Sequence, residues 1–258
     1  MKPIGTASVH QLFVAVCISV DFGVSSCDES AVTVALPSRR RKSRAKPGVP
    51  FMTVARSPSQ AQWESRYAAD GYLYGTAPSP FLAACRPLLP ARGRALSVAD
   101  GEGRNGTFLA AAGLDVVSLD FSAAAQAKAR ALAAARGVSL TTVHADLLTW
   151  DWPNAAFDVV VGCFFQFLAP DERTLIFARL RAALKPGGWL LIEGFGLGQI
   201  HLTSGGPGKL ENLYSRELLL EHFGDFVDLD IRDVDAVLDD GATHSGPAAL
   251  VRLVGRKP

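Results

Sequence analysis

The chain has 258 residues, 48% hydrophobic and 20% charged, enough to bury one substantial core and in keeping with a single α/β domain that carries a tail. Its net charge of +1 is unevenly spread: residues 1–51 hold seven Lys and Arg against three acids, leaving nineteen basic and twenty-two acidic residues in 52–258. That balance, with no Lys/Arg stripe interleaved with aromatics after residue 51, lacks the basic face that tracks a phosphate backbone, so nucleic acid is not the expected partner.

At the N-terminal end, Leu12 to Val20 is an apolar run of nine residues, too short to cross a bilayer, and Asp21 interrupts its extension. Val24-Ser25-Ser26-Cys27 resembles a lipoprotein cleavage box, but Lys2 is the only clear positive residue ahead of the apolar run. The basic run Arg39-Arg40-Arg41-Lys42-Ser43-Arg44 lies in Pro/Ser-rich surroundings that favour disorder. The expected organisation is a disordered or non-native extension over 1–51 and one domain over 52–258, with 52–90 as an N-terminal lid and 91–258 as the core. Cys17, Cys27, Cys85 and Cys163 form no C-x-x-C pair and the five histidines show no metal spacing. Neither a disulfide framework nor a metal site is expected.

Strands are expected at 95–100, 115–120, 139–144, 157–162 and 189–195, alternating with helices at 105–112, 122–136 and 171–184, the pattern of a doubly wound, mostly parallel sheet. Ser122 and Asp171 suit N-caps, Gly137 ends the Ala-rich helix, and Lys185-Pro186-Gly187 stops the next one. A further helix near 215–223 precedes two strands, 226–237 and 248–254, joined through Asp239-Asp240-Gly241 as an antiparallel hairpin. The expected fold class is therefore α/β, a seven-stranded Rossmann-like sheet with an antiparallel last strand.

The first strand runs into Asp100-Gly101-Glu102-Gly103-Arg104-Asn105-Gly106, and a helical stretch follows. This is the strand, turn and helix context of a glycine-rich cofactor loop. Gly101, Gly103 and Gly106 fit the dinucleotide spacing, in which a pyrophosphate sits on the helix N-terminus. Asp100 and Glu102 oppose that ligand, because a doubly negative group would meet like charges in a partly desolvated cleft. S-adenosylmethionine reverses the sign, having no phosphate and carrying an ammonium and a sulfonium.

The loop resembles motif I of the class I S-adenosylmethionine-dependent methyltransferases, and further stations match in register. Val116-Val117-Ser118-Leu119-Asp120 ends in an acid twenty residues after Asp100, followed by Phe121; in the family that acid takes both ribose hydroxyls. Val143-His144-Ala145-Asp146-Leu147 supplies the side chain and backbone N–H that the family turns to the adenine edge. Phe157 to Gly162 and Leu184 to Glu193 match the fourth and fifth strands. The resemblance implies S-adenosylmethionine as cofactor, held by Asp100, Gly101, Glu102, Gly103, Asn105, Gly106, Asp120, Phe121, Asp146, Leu147, Gly162 and Cys163. It also implies a cytoplasmic location, since this cofactor is made inside cells, and that argues against reading the tail as an export signal. Met52 is then the expected natural start, and the remaining use for the tail is an organelle or membrane-surface address.

Three stretches belong near the acceptor. Trp63-Glu64-Ser65-Arg66-Tyr67, with Tyr72 to Leu82, resembles the entry helix and Tyr-Gly-x-x-Pro segment of the tellurite-resistance and thiopurine branches, where it lids the cofactor; Tyr74 and Arg66 are its candidates. Cys163-Phe164-Phe165-Gln166-Phe167-Leu168 follows the fourth strand and offers Gln166 to a small substrate, with Cys163 a small buried hydrophobe. Glu193-Gly194-Phe195 and the glycine-rich Gln199 to Tyr214 suit a flap. With His244-Ser245-Gly246 that flap segment also resembles a bacterial group of uncharacterised small-molecule methyltransferases. His201, Glu193 and His244 are candidates for proton removal. What the resemblance implies is in-line methyl transfer to a small acceptor such as a thiol or a chalcogen oxyanion, with no membrane partner. An NAD-type oxidoreductase and a non-catalytic S-adenosylmethionine sensor are the alternatives.

Overall fold

The computed structural model describes residues 59–241 and 243–258. The expectations for the tail, and for the lid below residue 59, lie outside the described residues. Seven strands form one sheet: β1 (Arg94–Val98), β2 (Asp115–Asp120), β3 (Thr141–His144), β4 (Phe157–Cys163), β5 (Leu184–Phe195), β6 (Val227–Asp239) and β7 (Ser245–Arg256), in the order β3-β2-β1-β4-β5-β7-β6. The first five are mutually parallel, and β7 runs antiparallel to both β5 and β6. Helices α1 (Gln60–Ala68), α2 (Pro80–Ala84), α3 (Arg104–Ala111), α4 (Ala123–Ala135), α5 (Pro170–Ala183) and α6 (Arg216–Phe223) complete the domain. None of the described helices is long and apolar enough to cross a membrane.

Both sheet faces are covered, as continuous apolar strands require. Along β1 and β4 successive residues alternate between two cores: Leu96, Val98 and Val160 pack with Ile176, Phe177 and Leu180 of α5 and with Leu219 and Phe223 of α6. Ala95, Val159 and Val161 pack with Phe81 and Leu82 of α2 and Leu109 of α3. The period of two in the pleat decides which core each side chain joins. The outer strand β6 carries Asp228, Asp230, Arg232, Asp233 and Asp235, charges that discourage edge-to-edge pairing.

The caps follow local chemistry. Ser122 Oγ accepts from Ala125 N–H at 3.0 Å, Ser215 Oγ accepts from Leu218 N–H at 3.1 Å, and Gly137 turns left-handed (φ +64°) after α4. Asp171 is not the cap of α5. Pro170 takes the first helical position, its ring pre-set for a helix start, and the Glu172 carboxylate accepts from the Ala169 N–H at 2.8 Å. Two strands are longer than their sequence signals. β5 begins at Leu184, pairing with Phe157 across a bulge, and β7 continues through Pro247 to Ser245. A proline removes one ladder donor without forbidding extended backbone, so the register with β6 holds across it.

Candidate functional site

The site lies beyond the carboxyl ends of β1, β2 and β4, where open α/β sheets place their ligands. β1 stops at Val98 because Ala99 is left-handed (φ +48°), and the residue after β4, Phe164, is too (φ +57°). Such a conformation costs an L residue about 1–2 kcal/mol and collects at ligand sites. Two cavities meet at Ala99. One is lined by Tyr67, Tyr74, Asp100, Gly101, Glu102, Arg104, Asn105, Cys163, Phe164 and His244. The other is lined by Gln60, Trp63, Asp120, Phe121, Asp146, Leu147, Leu148, Phe167, Leu168 and Glu172.

The acids of the loop are committed to protein partners. Asp100 folds back into the turn: one oxygen accepts from Ser97 Oγ at 2.6 Å and Gly106 N–H at 3.0 Å, the other from Ser118 Oγ at 2.6 Å. Burial raises its carboxyl to about 6 in spite of these bonds. A group that holds its proton more tightly when folded stabilises the fold below its unfolded value of 3.8 and loses that contribution as pH rises through 6. Thermal melts from about pH 4 to about pH 7 are therefore expected to show the wild-type melting temperature falling relative to Asp100→Asn. A constant difference would mean that Asp100 is already ionised at the acid end.

Glu102 is spoken for as well. Its carboxylate accepts from Leu73 N–H at 2.6 Å and from Lys128 Nζ at 2.8 Å, and the same ammonium donates to Ala69 and Gly71 carbonyls at 2.6 Å each. This cluster fastens residues 69–73 over the glycine loop. The charge expectation is thereby corrected, because neither Asp100 nor Glu102 stands as a free carboxylate awaiting a cation. What opposes phosphate is occupancy. Gly101 N–H donates to Asp120 at 2.8 Å and Gly106 N–H to Asp100, so two amides that a pyrophosphate would need are already taken.

Asp120 closes β2 with its other oxygen accepting Ser122 N–H at 2.8 Å; burial pushes its carboxyl up while the two amide bonds hold it down. Each carboxylate oxygen keeps a lone pair for a further donor. Phe121 and Phe167 meet edge to face, 6.4 Å apart, beside Leu147, and Asp146 turns the rim by accepting Leu148 N–H at 2.8 Å. Trp63 stands opposite on α1, and its indole N–H is buried without a partner. Glu64 ties the same helix down by accepting Ala124 N–H at 3.0 Å, and Gln60 and Trp63 of that helix line this cavity.

Asp100, Gly101, Glu102, Asn105, Cys163 and Tyr74 thus come together in the first cavity, and Asp120, Phe121, Asp146 and Leu147 in the second. Gly103, Gly106 and Gly162 line neither; they permit close packing, since a Cβ would lie 2.6 Å from Ala129, 2.3 Å from Asp100 and 2.5 Å from Phe165 respectively. Cys163 is no nucleophile: burial pushes its thiol far up, as expected of a small hydrophobe.

The four acceptor-side candidates are corrected. Arg66 is exposed on α1, stacked over Trp63 at 5.1 Å. Gln166 is buried, donates to Phe195 and Asn212 carbonyls at 2.8 and 3.1 Å, accepts Phe195 N–H and lines neither cavity. Glu193 accepts from Ser79 Oγ at 2.5 Å and Arg252 Nε at 2.8 Å behind the sheet end. His201 is exposed and lines neither cavity. The expected flap is also anchored: Gln199 accepts Ala249 N–H at 2.9 Å and Ser204 Oγ donates to the Pro247 carbonyl at 2.5 Å, pinning it to β7. Of the three candidates for proton removal, His244 alone lines a cavity. It arrives on the β6–β7 turn, which Arg104 holds by pairing with Asp240 at 2.9 Å. Arg104 was visible in the loop but carried no signal of that role.

Residues 95–188 match the methyltransferase-domain family. The demethylmenaquinone methyltransferase of Thermus thermophilus is 37% identical over 105 residues, a match that spans 40% of this chain and 47% of that protein. Phosphoethanolamine N-methyltransferase 2 of Haemonchus contortus, solved with phosphomonomethylethanolamine and S-adenosylhomocysteine, superposes with a TM-score of 0.60 at 18% identity, covering 77% of this chain and 58% of its own. An S-adenosylmethionine-dependent methyltransferase of Methanosarcina mazei gives 0.54 at 18% identity, covering 70% and 98%. The fold is the Rossmann-like fold that these methyltransferase structures share, and the likeness to the methyltransferase-domain family is confined to residues 95–188.

Proposed function

We propose that this chain, built on a class I methyltransferase domain, transfers a methyl group from S-adenosylmethionine to a small-molecule acceptor. One observation carries the reading: the amides of Gly101 and Gly106 are capped by the chain's own Asp120 and Asp100, which withdraws two donors of the turn from a dinucleotide pyrophosphate, while the acid at the ribose station stays within reach of a diol. The donor set fits this cofactor. Asp120 would take the ribose, Phe121, Phe167 and Leu147 would enclose the adenine, and the buried, unpartnered Trp63 N–H would gain an acceptor. The methionine portion would occupy the cavity under Tyr67 and Tyr74.

S-adenosylmethionine supplies a methyl carbon already activated for in-line displacement, so the protein contributes position and the exclusion of water. The lid does the latter here, held by Lys128 and Glu102 above the loop. The seated lid also supports the finer resemblance to the tellurite-resistance and thiopurine branch. A labelled-methyl assay over thiols, phenols, amines, selenite and tellurite tests the proposal: transfer to at least one class is expected, and tight cofactor binding without transfer to any would favour a sensor.

A further inference from the structure

His244, Tyr74 and Phe164 share the first cavity with the Gly101 turn. There the His244 ring lies 4.5 Å from Tyr74 and 4.9 Å from Phe164, centroid to centroid, with Phe195 edge-on behind it at 5.3 Å. The imidazole is 7% exposed, and its Nδ1 is buried with no hydrogen-bond partner. A buried polar atom left unpaired costs about 1–3 kcal/mol, and an orphan on a residue that lines a cavity points to a ligand that completes it. The ring is also backed: a Cβ on Gly205 would lie 2.7 Å from its Cδ2, so it has no room to swing away from the cavity.

The charged side chains that line this cavity are each paired: Arg104 is held by Asp240, Glu102 by Lys128, and Asp100 by its three donors. A charged acceptor would lose its water here, and the side chains lining the cavity offer it no free counter-ion. An oxyanion fares worst, because aromatic faces present negative density. An apolar body is favoured by three rings.

We infer that His244, Tyr74 and Phe164 form the seat of the methyl acceptor, and that this acceptor is a neutral, largely apolar molecule presenting one hydroxyl or thiol to the imidazole. The inference rests on the methyltransferase reading above and narrows its substrate class. His244 keeps a lone pair to offer because burial and the Arg104 guanidinium push its pKa down to about 4, with Asp240 opposing them and Tyr74 the remaining titratable neighbour in ring contact. A neutral imidazole has one acceptor nitrogen, which suits one donor. Gln166, Glu193 and His201 are each engaged or remote, so on this wall the discrimination falls to His244.

The test uses the full chain saturated with S-adenosylhomocysteine and titrated with p-cresol, with 4-methylbenzenethiol, and with 4-methylanisole, which keeps the ring and lacks the donor. The phenol is expected to bind about tenfold more tightly than the ether, the scale of one hydrogen bond to a buried partner, and to move the ring 15N signals of His244. His244→Phe is expected to erase that preference and His244→Gln to retain part of it. Equal affinity of phenol and ether, a preference that survives His244→Phe, binding of neither ring compound, or tighter binding of tellurite than of p-cresol would each overturn the inference while leaving the methyltransferase reading in place. Failure of S-adenosylhomocysteine itself to bind would remove both.

Discussion

Gly103→Ala is expected to lower the melting temperature by about 10 °C and to abolish saturable S-adenosylmethionine binding. Gly103 sits at φ +83°, and a Cβ there would lie 2.6 Å from Ala129 Cβ and 2.8 Å from Ala129 Cα. The left-handed backbone costs about 1–2 kcal/mol with a side chain, and overpacking against a helix adds about 1–3 kcal/mol. The sum, about 3 kcal/mol, corresponds to roughly 10 °C for a domain of this size. Because the clash is with the backbone of α4, the loop and the helix beginning at Ala123 must separate, and Asp120 and the glycine amides lose their register. Gly137→Ala is the control. That residue is also left-handed (φ +64°) but has nothing within 4 Å, so only the backbone cost, about 1 kcal/mol, remains and binding persists. Thermal melts and calorimetry on the pair separate the two contributions, and equal losses in both would remove the packing argument.

Asp120→Ala is expected to weaken S-adenosylhomocysteine binding by about thirtyfold, roughly 2 kcal/mol, the scale of hydrogen bonds to a charged group. The carboxylate bonds Gly101 and Ser122 amides on one side and faces the second cavity on the other, so its loss strips the ribose station and frees two buried N–H groups. Stability should fall as well. Calorimetry at a temperature where both proteins are folded isolates the binding term; an unchanged dissociation constant would take Asp120 out of the ribose role.

The sheet and the glycine loop were legible in the sequence because both signals are local: alternation of apolar residues along Leu96 to Val98 and Val159 to Val161, and a turn that only glycines at 101 and 103 tolerate at positive φ. Asp120, Phe121, Asp146 and Leu147, which the family resemblance singled out, lie at or within three residues of the ends of β2 and β3 and line one cavity. Gln166 and Glu193 were misread because a polar side chain does not announce which distant group satisfies it. Their partners Phe195, Asn212, Ser79 and Arg252 lie between 29 and 114 residues away. The two acids at 100 and 102 were read as free charges, whereas their capacity goes to Ser97, Ser118, Gly106 and Lys128 of the chain itself. His244 stood among three candidates for proton removal, but nothing local placed it beside the glycine loop. Only the length of the β6–β7 hairpin and the Arg104–Asp240 pair bring it to the loop.

The central claim is that the groove at Ala99 takes S-adenosylmethionine rather than a dinucleotide, two of its loop amides being already held by Asp120 and Asp100. Calorimetric titration of the full chain with S-adenosylhomocysteine and, separately, with NADH addresses it directly. The account predicts a single-site isotherm for the first and no heat of binding for the second; saturable binding of NADH with S-adenosylhomocysteine silent would contradict it.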